Sequence, residues 1–77
     1  MPDLTLFYRS MCPYCQKVLT FIEENNISLE LKDVSGNPEA RQELMTVGGK
    51  TQVPCLSIDG KALYESDDII QWIGDNK

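Results

Sequence analysis

Apolar positions recur along this 77-residue chain with two periods, one of strands and one of helices, and the places where the period changes mark out the elements. Leu4, Leu6, Phe7 and Tyr8 read as a short strand. Cys15, Val18, Leu19 and Ile22 follow the i, i+3, i+4, i+7 spacing of one helix face, which predicts a helix from Pro13 to Glu24 that stops at Asn25-Asn26, residues tolerant of left-handed and turn conformations. Ile27, Leu29 and Leu31 alternate with Ser28, Glu30 and Lys32, the pattern of a strand with one wet face at or near a sheet edge. Ser35-Gly36-Asn37-Pro38 is a turn that becomes a helix start, with Asn37 as N-cap and Pro38 at the first position; Ala40, Leu44 and Val47 form the inner stripe and Gly48-Gly49 closes the helix. Past Pro54, Cys55 to Ile58 and Lys61 to Tyr64 are strands joined by Asp59-Gly60, a hairpin turn. Ser66 then caps a last helix with Asp67 and Asp68 in its first turn and Ile69, Ile70, Trp72 and Ile73 on its apolar side.

The order is strand, helix, strand, helix, strand, strand, helix. A right-handed β-α-β crossover makes the first two strands parallel and the hairpin adds an antiparallel pair, which gives an α/β fold with a four-stranded mixed sheet and three helices on its faces. The length suits one domain spanning residues 1–77, and no repeat or linker interrupts it.

The densest chemistry lies in Cys12-Pro13-Tyr14-Cys15, where a strand hands over to a helix. Pro13 suits a first helical position, where its missing N–H would have had no partner and its φ is already helical. Cys12 is left at the cap, with unpaired backbone N–H groups and the positive end of the helix dipole directed at its sulfur, which lowers a thiol pKa. An ordinary thiol near 8.5 is only about 3% thiolate at pH 7, so this placement decides reactivity. Cys12 is the expected nucleophile. Cys15, one turn on and sharing the core stripe with Val18 and Ile22, is expected to be more buried, less acidic and suited to resolving a mixed disulfide.

Composition narrows the alternatives. A CxxC is often half of a zinc site, but zinc takes four ligands and the chain offers one further cysteine, Cys55, and no histidine. A structural disulfide across four residues constrains little chain entropy. Twelve acidic against seven basic residues, net charge −5, argue against a nucleic acid or an anionic membrane as partner. No apolar stretch approaches a membrane span, and Met1-Pro2-Asp3 lacks the basic start of a signal peptide, so a reducing cytoplasm is expected. Without histidine, Ser-His and Cys-His catalysis are unavailable and the chemistry must run on thiols. Cys55, in a strand after Pro54, reads as a small buried hydrophobe.

The Cys12-Pro13-Tyr14-Cys15 motif, Val53-Pro54 some forty residues on and Ser66-Asp67-Asp68 at the start of the last helix together resemble a dithiol glutaredoxin of the thioredoxin fold, over nearly the whole chain. The stretch from Val53-Pro54-Cys55-Leu56 to Leu63-Tyr64-Glu65-Ser66 is also similar to the glutathione-binding half of glutathione transferases. The resemblance implies a glutathione-dependent thiol–disulfide oxidoreductase, with glutathione as co-substrate, no metal, disulfide-bonded or glutathionylated proteins as partners and a monomeric state. It implies that Pro54 is cis, that the backbone of Val53 in the Gln52-Val53-Pro54 loop pairs with the cysteinyl part of glutathione, and that Ser66 and Asp67, with Glu65 or Asp68, hold the γ-glutamyl end. Tyr14 is expected beside the bound thiol. The glycyl carboxylate needs a cation, for which Lys50, Arg9 and Arg41 are candidates, Lys50 first because it precedes the Gln52 loop. Gln52 stands where glutaredoxins commonly have Thr, and Tyr64-Glu65 where they have a Gly-Gly pair. Three rivals share parts of this pattern: a redoxin served by thioredoxin reductase, an iron–sulfur carrier bridging two chains, and a free-standing transferase.

Overall fold

The computed structural model describes residues 4–76; Met1-Pro2-Asp3, read above for a leader, lie outside the described residues. The elements are β1 (Leu4–Tyr8), α1 (Pro13–Glu24), β2 (Glu30–Asp33), α2 (Pro38–Gly48), β3 (Cys55–Ile58), β4 (Lys61–Tyr64) and α3 (Ser66–Asn76). The sheet runs β2-β1-β3-β4, with β1 parallel to β2 and antiparallel to β3, and β3 antiparallel to β4. This is a thioredoxin-like fold.

The period of two sorts the sheet into two cores. Leu6, Leu56 and Leu63 lie opposite one another across β1, β3 and β4, on the face covered by Val18 and Ile22 of α1 and Ile69 and Ile73 of α3. Phe7, Cys55 and Tyr64 form the next cross-strand row and face Ala40 and Leu44 of α2, with Val34. Burying each of the larger aliphatic side chains stabilises the fold by about 1.5–3 kcal/mol, so α1 and α3 are held on one side and α2 on the other. The helix starts follow local rules. Asn37 accepts from the N–H groups of Glu39 and Ala40 at 3.0 and 3.3 Å, and Gly49 ends α2 with φ +76°.

Two expectations need correction. The second strand begins at Glu30, not at Ile27, because its ladder with β1 opens where Thr5 faces Glu30; Ile27 and Leu29 still pack on the core, while Leu31, at the open edge, is 46% exposed. Ser66 is the first helical residue of α3 and not its cap. The Ile69 N–H donates to the Glu65 carbonyl at 2.9 Å, so Glu65 takes the cap position, with φ +72°.

Candidate active site

The turn after β1 delivers the dithiol. The Cys12 N–H donates to the Arg9 carbonyl at 3.2 Å and the Gln16 N–H to the Cys12 carbonyl at 3.0 Å; the Gln16 side chain ties back to the Ser10 carbonyl at 2.8 Å. Cys12 is thus the N-cap of α1, in extended conformation, with Pro13 next and no side-chain hydrogen bond capping the helix start. The cap position sets this residue at the positive end of the helix.

The two thiols are pushed apart in acidity. For Cys12 the largest single effect is burial, which raises the pKa, but it is outweighed by the Cys15 N–H, the Cys15 thiol, the Tyr14 N–H and the charge of Arg9, so the Cys12 thiol ends below the ordinary value. Cys15 is fully buried. Burial dominates there and, with the neighbouring Cys12, outweighs the Arg9 N–H that donates to its sulfur at 3.4 Å; its pKa is pushed up to about 11. One thiol is held ready to ionise and the other is kept protonated.

Beside the dithiol a cleft of about 340 Å³ is lined by Tyr14, Gln52, Val53, Pro54, Glu65, Ser66 and Asp67, a volume at the lower end for small-molecule sites. The Val53-Pro54 bond is cis. The fold therefore brings Tyr14, the loop before β3 and the start of α3 to one place, as the sequence suggested, but it does not bring everything. Asp68 turns to a separate hollow with Leu63, Gln71, Trp72 and Asp75. Lys50, the first choice for a carboxylate-binding cation, sits over the Tyr64 ring at 4.4 Å from its centre, and Arg41 is on α2, against the opposite face of the sheet. Neither lines the cleft. Of these three cations only Arg9 acts on the Cys12 and Cys15 thiols, and it lowers the pKa of both. Cys55 is fully buried beside Tyr64 on the α2 face, as a small hydrophobe would be, and burial raises its pKa.

Two contacts at the cleft escaped the sequence. Gln52 Nε2 donates to Glu65 Oε1 at 3.4 Å across it, and Lys17 of α1 pairs with Asp67 of α3 at its edge. A lysine one turn beyond Cys12-Pro13 and an acidic pair at a later helix start are the signals for the second contact; only the packing of α1 on α3 joins them. Among the described residues no group of three or more His, Cys, Asp or Glu is placed to hold a metal ion.

Against known proteins, a family model described as Glutaredoxin matches residues 4–63. The chain is 32% identical over 79 residues to a probable glutaredoxin of Acanthamoeba polyphaga mimivirus, covering 88% of this chain and 74% of that protein. It is 26% identical over 69 residues to Glutaredoxin 3 of Escherichia coli K12, covering 90% and 83%. Among solved structures, glutathione transferase Omega 3C from Trametes versicolor superposes with a TM-score of 0.82 at 33% identity, covering 96% of this chain and 33% of the transferase. The chain thus spans about a third of that enzyme.

Proposed function

The chain belongs to the glutaredoxin family, whose role is thiol–disulfide exchange, and from that membership we propose that it is a glutathione-dependent oxidoreductase with Cys12 as nucleophile and Cys15 as resolving thiol. The observation that carries the reading is the opposed acidity of two thiols one helical turn apart, Cys12 lowered and Cys15 pushed up to about 11.

In this proposal the Cys12 thiolate attacks the glutathionyl sulfur of a mixed disulfide. The old S–S bond breaks, the target leaves as a thiolate that takes a proton from water, and a Cys12–glutathione disulfide remains. A second glutathione thiolate attacks that disulfide, releasing oxidised glutathione and restoring the Cys12 thiolate. With a protein disulfide as substrate, Cys15 gives up its proton and attacks the Cys12 mixed disulfide, which frees the reduced target and leaves a 12–15 disulfide for two glutathiones to reduce.

The cleft supports the choice of glutathione by chemistry. The free N–H groups at the start of α3, from Ser66 and Asp67, suit the γ-glutamyl carboxylate, and the Glu65 carboxylate suits the ammonium. The Val53 backbone is assigned to the cysteinyl unit, Tyr14 to the wall beside the reacting sulfurs, and Arg9 to the glycyl carboxylate in place of Lys50. We further assign the protein to the cytoplasm, acting as a monomer on glutathionylated or disulfide-bonded proteins.

The test is reduction of a glutathione mixed disulfide coupled to glutathione, glutathione reductase and NADPH, for wild type beside Cys12→Ser. Turnover that disappears with Cys12 is expected. A folded, reduced wild type that gives none, yet is kept cycling on protein disulfides by thioredoxin reductase and NADPH, would replace glutathione with that reductase.

A further inference from the structure

The cleft sets a charge problem for the ligand assigned to it. Among the described residues its lining carries two carboxylates, Glu65 and Asp67, and no cation. The γ-glutamyl end of glutathione brings an ammonium, which these acids suit, and a carboxylate, which they repel. The start of α3 offers that carboxylate N–H groups and only about half a positive charge, flanked on both sides by acids.

Among the described residues one cation reaches this end of the cleft. Lys17 Nζ is hydrogen-bonded to Asp67 Oδ1, joining α1, the helix capped by Cys12, to the first turn of α3. The two side chains are 54% and 80% exposed, and an ion pair so open to water adds little to folding. Lysine has three N–H donors on a flexible stem, so the ammonium can stay on Asp67 and still donate to a second oxygen at the helix start. Arg9 lies by the thiols, where the glycyl carboxylate is assigned to it, Lys50 lies over Tyr64 and Arg41 is on the far face.

We propose that Lys17 is a ligand-binding residue of this site: held at the cleft edge by Asp67, its ammonium takes the α-carboxylate of the γ-glutamyl group together with the N–H groups of the first turn of α3. Asp67 is then the positioning residue for Lys17, and the ammonium of the ligand goes to Glu65. The proposal rests on the glutathione reading above and makes a free α-carboxylate a condition of tight binding.

The experiment compares two tripeptides, glutathione and its analogue without the α-carboxylate, 4-aminobutyryl-cysteinyl-glycine, each as a mixed disulfide with the same short peptide. Transfer of the tripeptide to Cys12 is followed by mass spectrometry in a Cys15→Ser background, with Lys17, Lys17→Gln or Lys17→Arg. For the glutathione substrate, Lys17→Gln is expected to raise the concentration for half-maximal rate about tenfold, the scale of one lost charge-assisted hydrogen bond, with the maximal rate within about twofold; Lys17→Arg should restore most of the affinity. For the analogue, Lys17→Gln should change nothing. An equal loss for both substrates would assign Lys17 a structural role and overturn the proposal, as would no loss for either. If the chain with Lys17 intact accepts glutathione no better than the symmetric disulfide of the same short peptide, run alongside as a reference, the glutathione reading itself falls, and the proposal with it.

Discussion

Gln52 and Glu65 meet across the cleft, the amide of one donating to the carboxylate of the other at 3.4 Å. They come from the loop before β3 and the cap of α3, and together with Tyr64 they are the positions where the sequence parts from the pattern that glutaredoxins commonly show. Glu65 adopts φ +72°, a left-handed conformation that costs a non-glycine residue about 1–2 kcal/mol. Glycine would remove that cost and return roughly 0.5–1 kcal/mol of it as extra unfolded-state entropy. Glu65→Gly is therefore expected to raise stability by about 0.5–1 kcal/mol in urea denaturation while weakening the use of glutathione, on the order of tenfold in KM for one lost charged contact. Lower stability would show that the Gln52 contact outweighs the backbone strain; an unchanged KM would remove Glu65 from the ligand site.

The two cysteines should fail differently. Cys12→Ser is expected to reduce both deglutathionylation and protein disulfide reduction to the uncatalysed rate. Cys15→Ser should keep deglutathionylation and lose most dithiol reduction. Parallel assays on a glutathionylated peptide and on a protein disulfide distinguish them, and equal loss in both variants would overturn the assigned roles.

Acidity gives a third check. The pH profile of iodoacetamide alkylation should show Cys12 reacting with a midpoint below the ordinary thiol value of about 8.5, and Cys15→Ala should move that midpoint up, because the Cys15 thiol is one of the groups that lowers it. A midpoint unmoved by Cys15→Ala would leave the backbone N–H groups and Arg9 as the whole cause.

Stability should follow pH in a stated direction. Cys15, Cys55 and Tyr64 all have pKa values raised in the fold, chiefly by burial. A raised acid is protonated more readily folded than unfolded, so its contribution is complete below the unfolded pKa and is lost as pH rises toward the folded one. Cys12 is lowered, so its contribution is complete above about 8.5 and lost toward acid. The reduced protein is expected to lose stability from about pH 8.5 toward 11, with a shallower fall in Cys15→Ala. Urea midpoints across that range measure it.

The packing behind Cys55 can be probed at Gly48. A Cβ there would lie 1.7 Å from the Tyr64 hydroxyl oxygen and 2.9 Å from the ring carbon that bears it. Gly48→Ala is expected to cost about 1–3 kcal/mol, the usual range for overpacking, and adding Tyr64→Phe should recover part of that by deleting the nearer atom. Equal midpoints for Gly48→Ala and wild type would mean that Tyr64 moves aside freely.

Most of the fold was legible because its signals are local. Asn37-Pro38, Gly49, Asp59-Gly60 and the stripe from Cys15 to Ile22 each act through neighbours along the chain, and the structure keeps the elements they announce. The start of β2 was misread because alternation continues into Ile27 and Leu29, whereas a strand ends where its partner's ladder ends. At the site, the placement of Cys12 at the start of α1 and of Cys15 on its buried stripe was legible for the same local reason. Lys50 was not: proximity in sequence to the Gln52 loop says nothing of which face a long side chain crosses, and the Tyr64 ring is what it covers. Gln52–Glu65 and Lys17–Asp67 join distant segments, and no pattern within either segment announces the other.

The dithiol occupies four consecutive residues, but the cleft beside it is assembled from Tyr14, the loop at Gln52 to Pro54 and the turn at Glu65 to Asp67. A ligand seated there fastens α1, the β3 approach and α3 together, and it binds the folded chain alone. Such a ligand raises the melting temperature in proportion to the logarithm of its concentration, adding about 2.7 kcal/mol at a hundred times its Kd. The occupancy of the cleft is then recorded in the temperature at which the fold itself gives way.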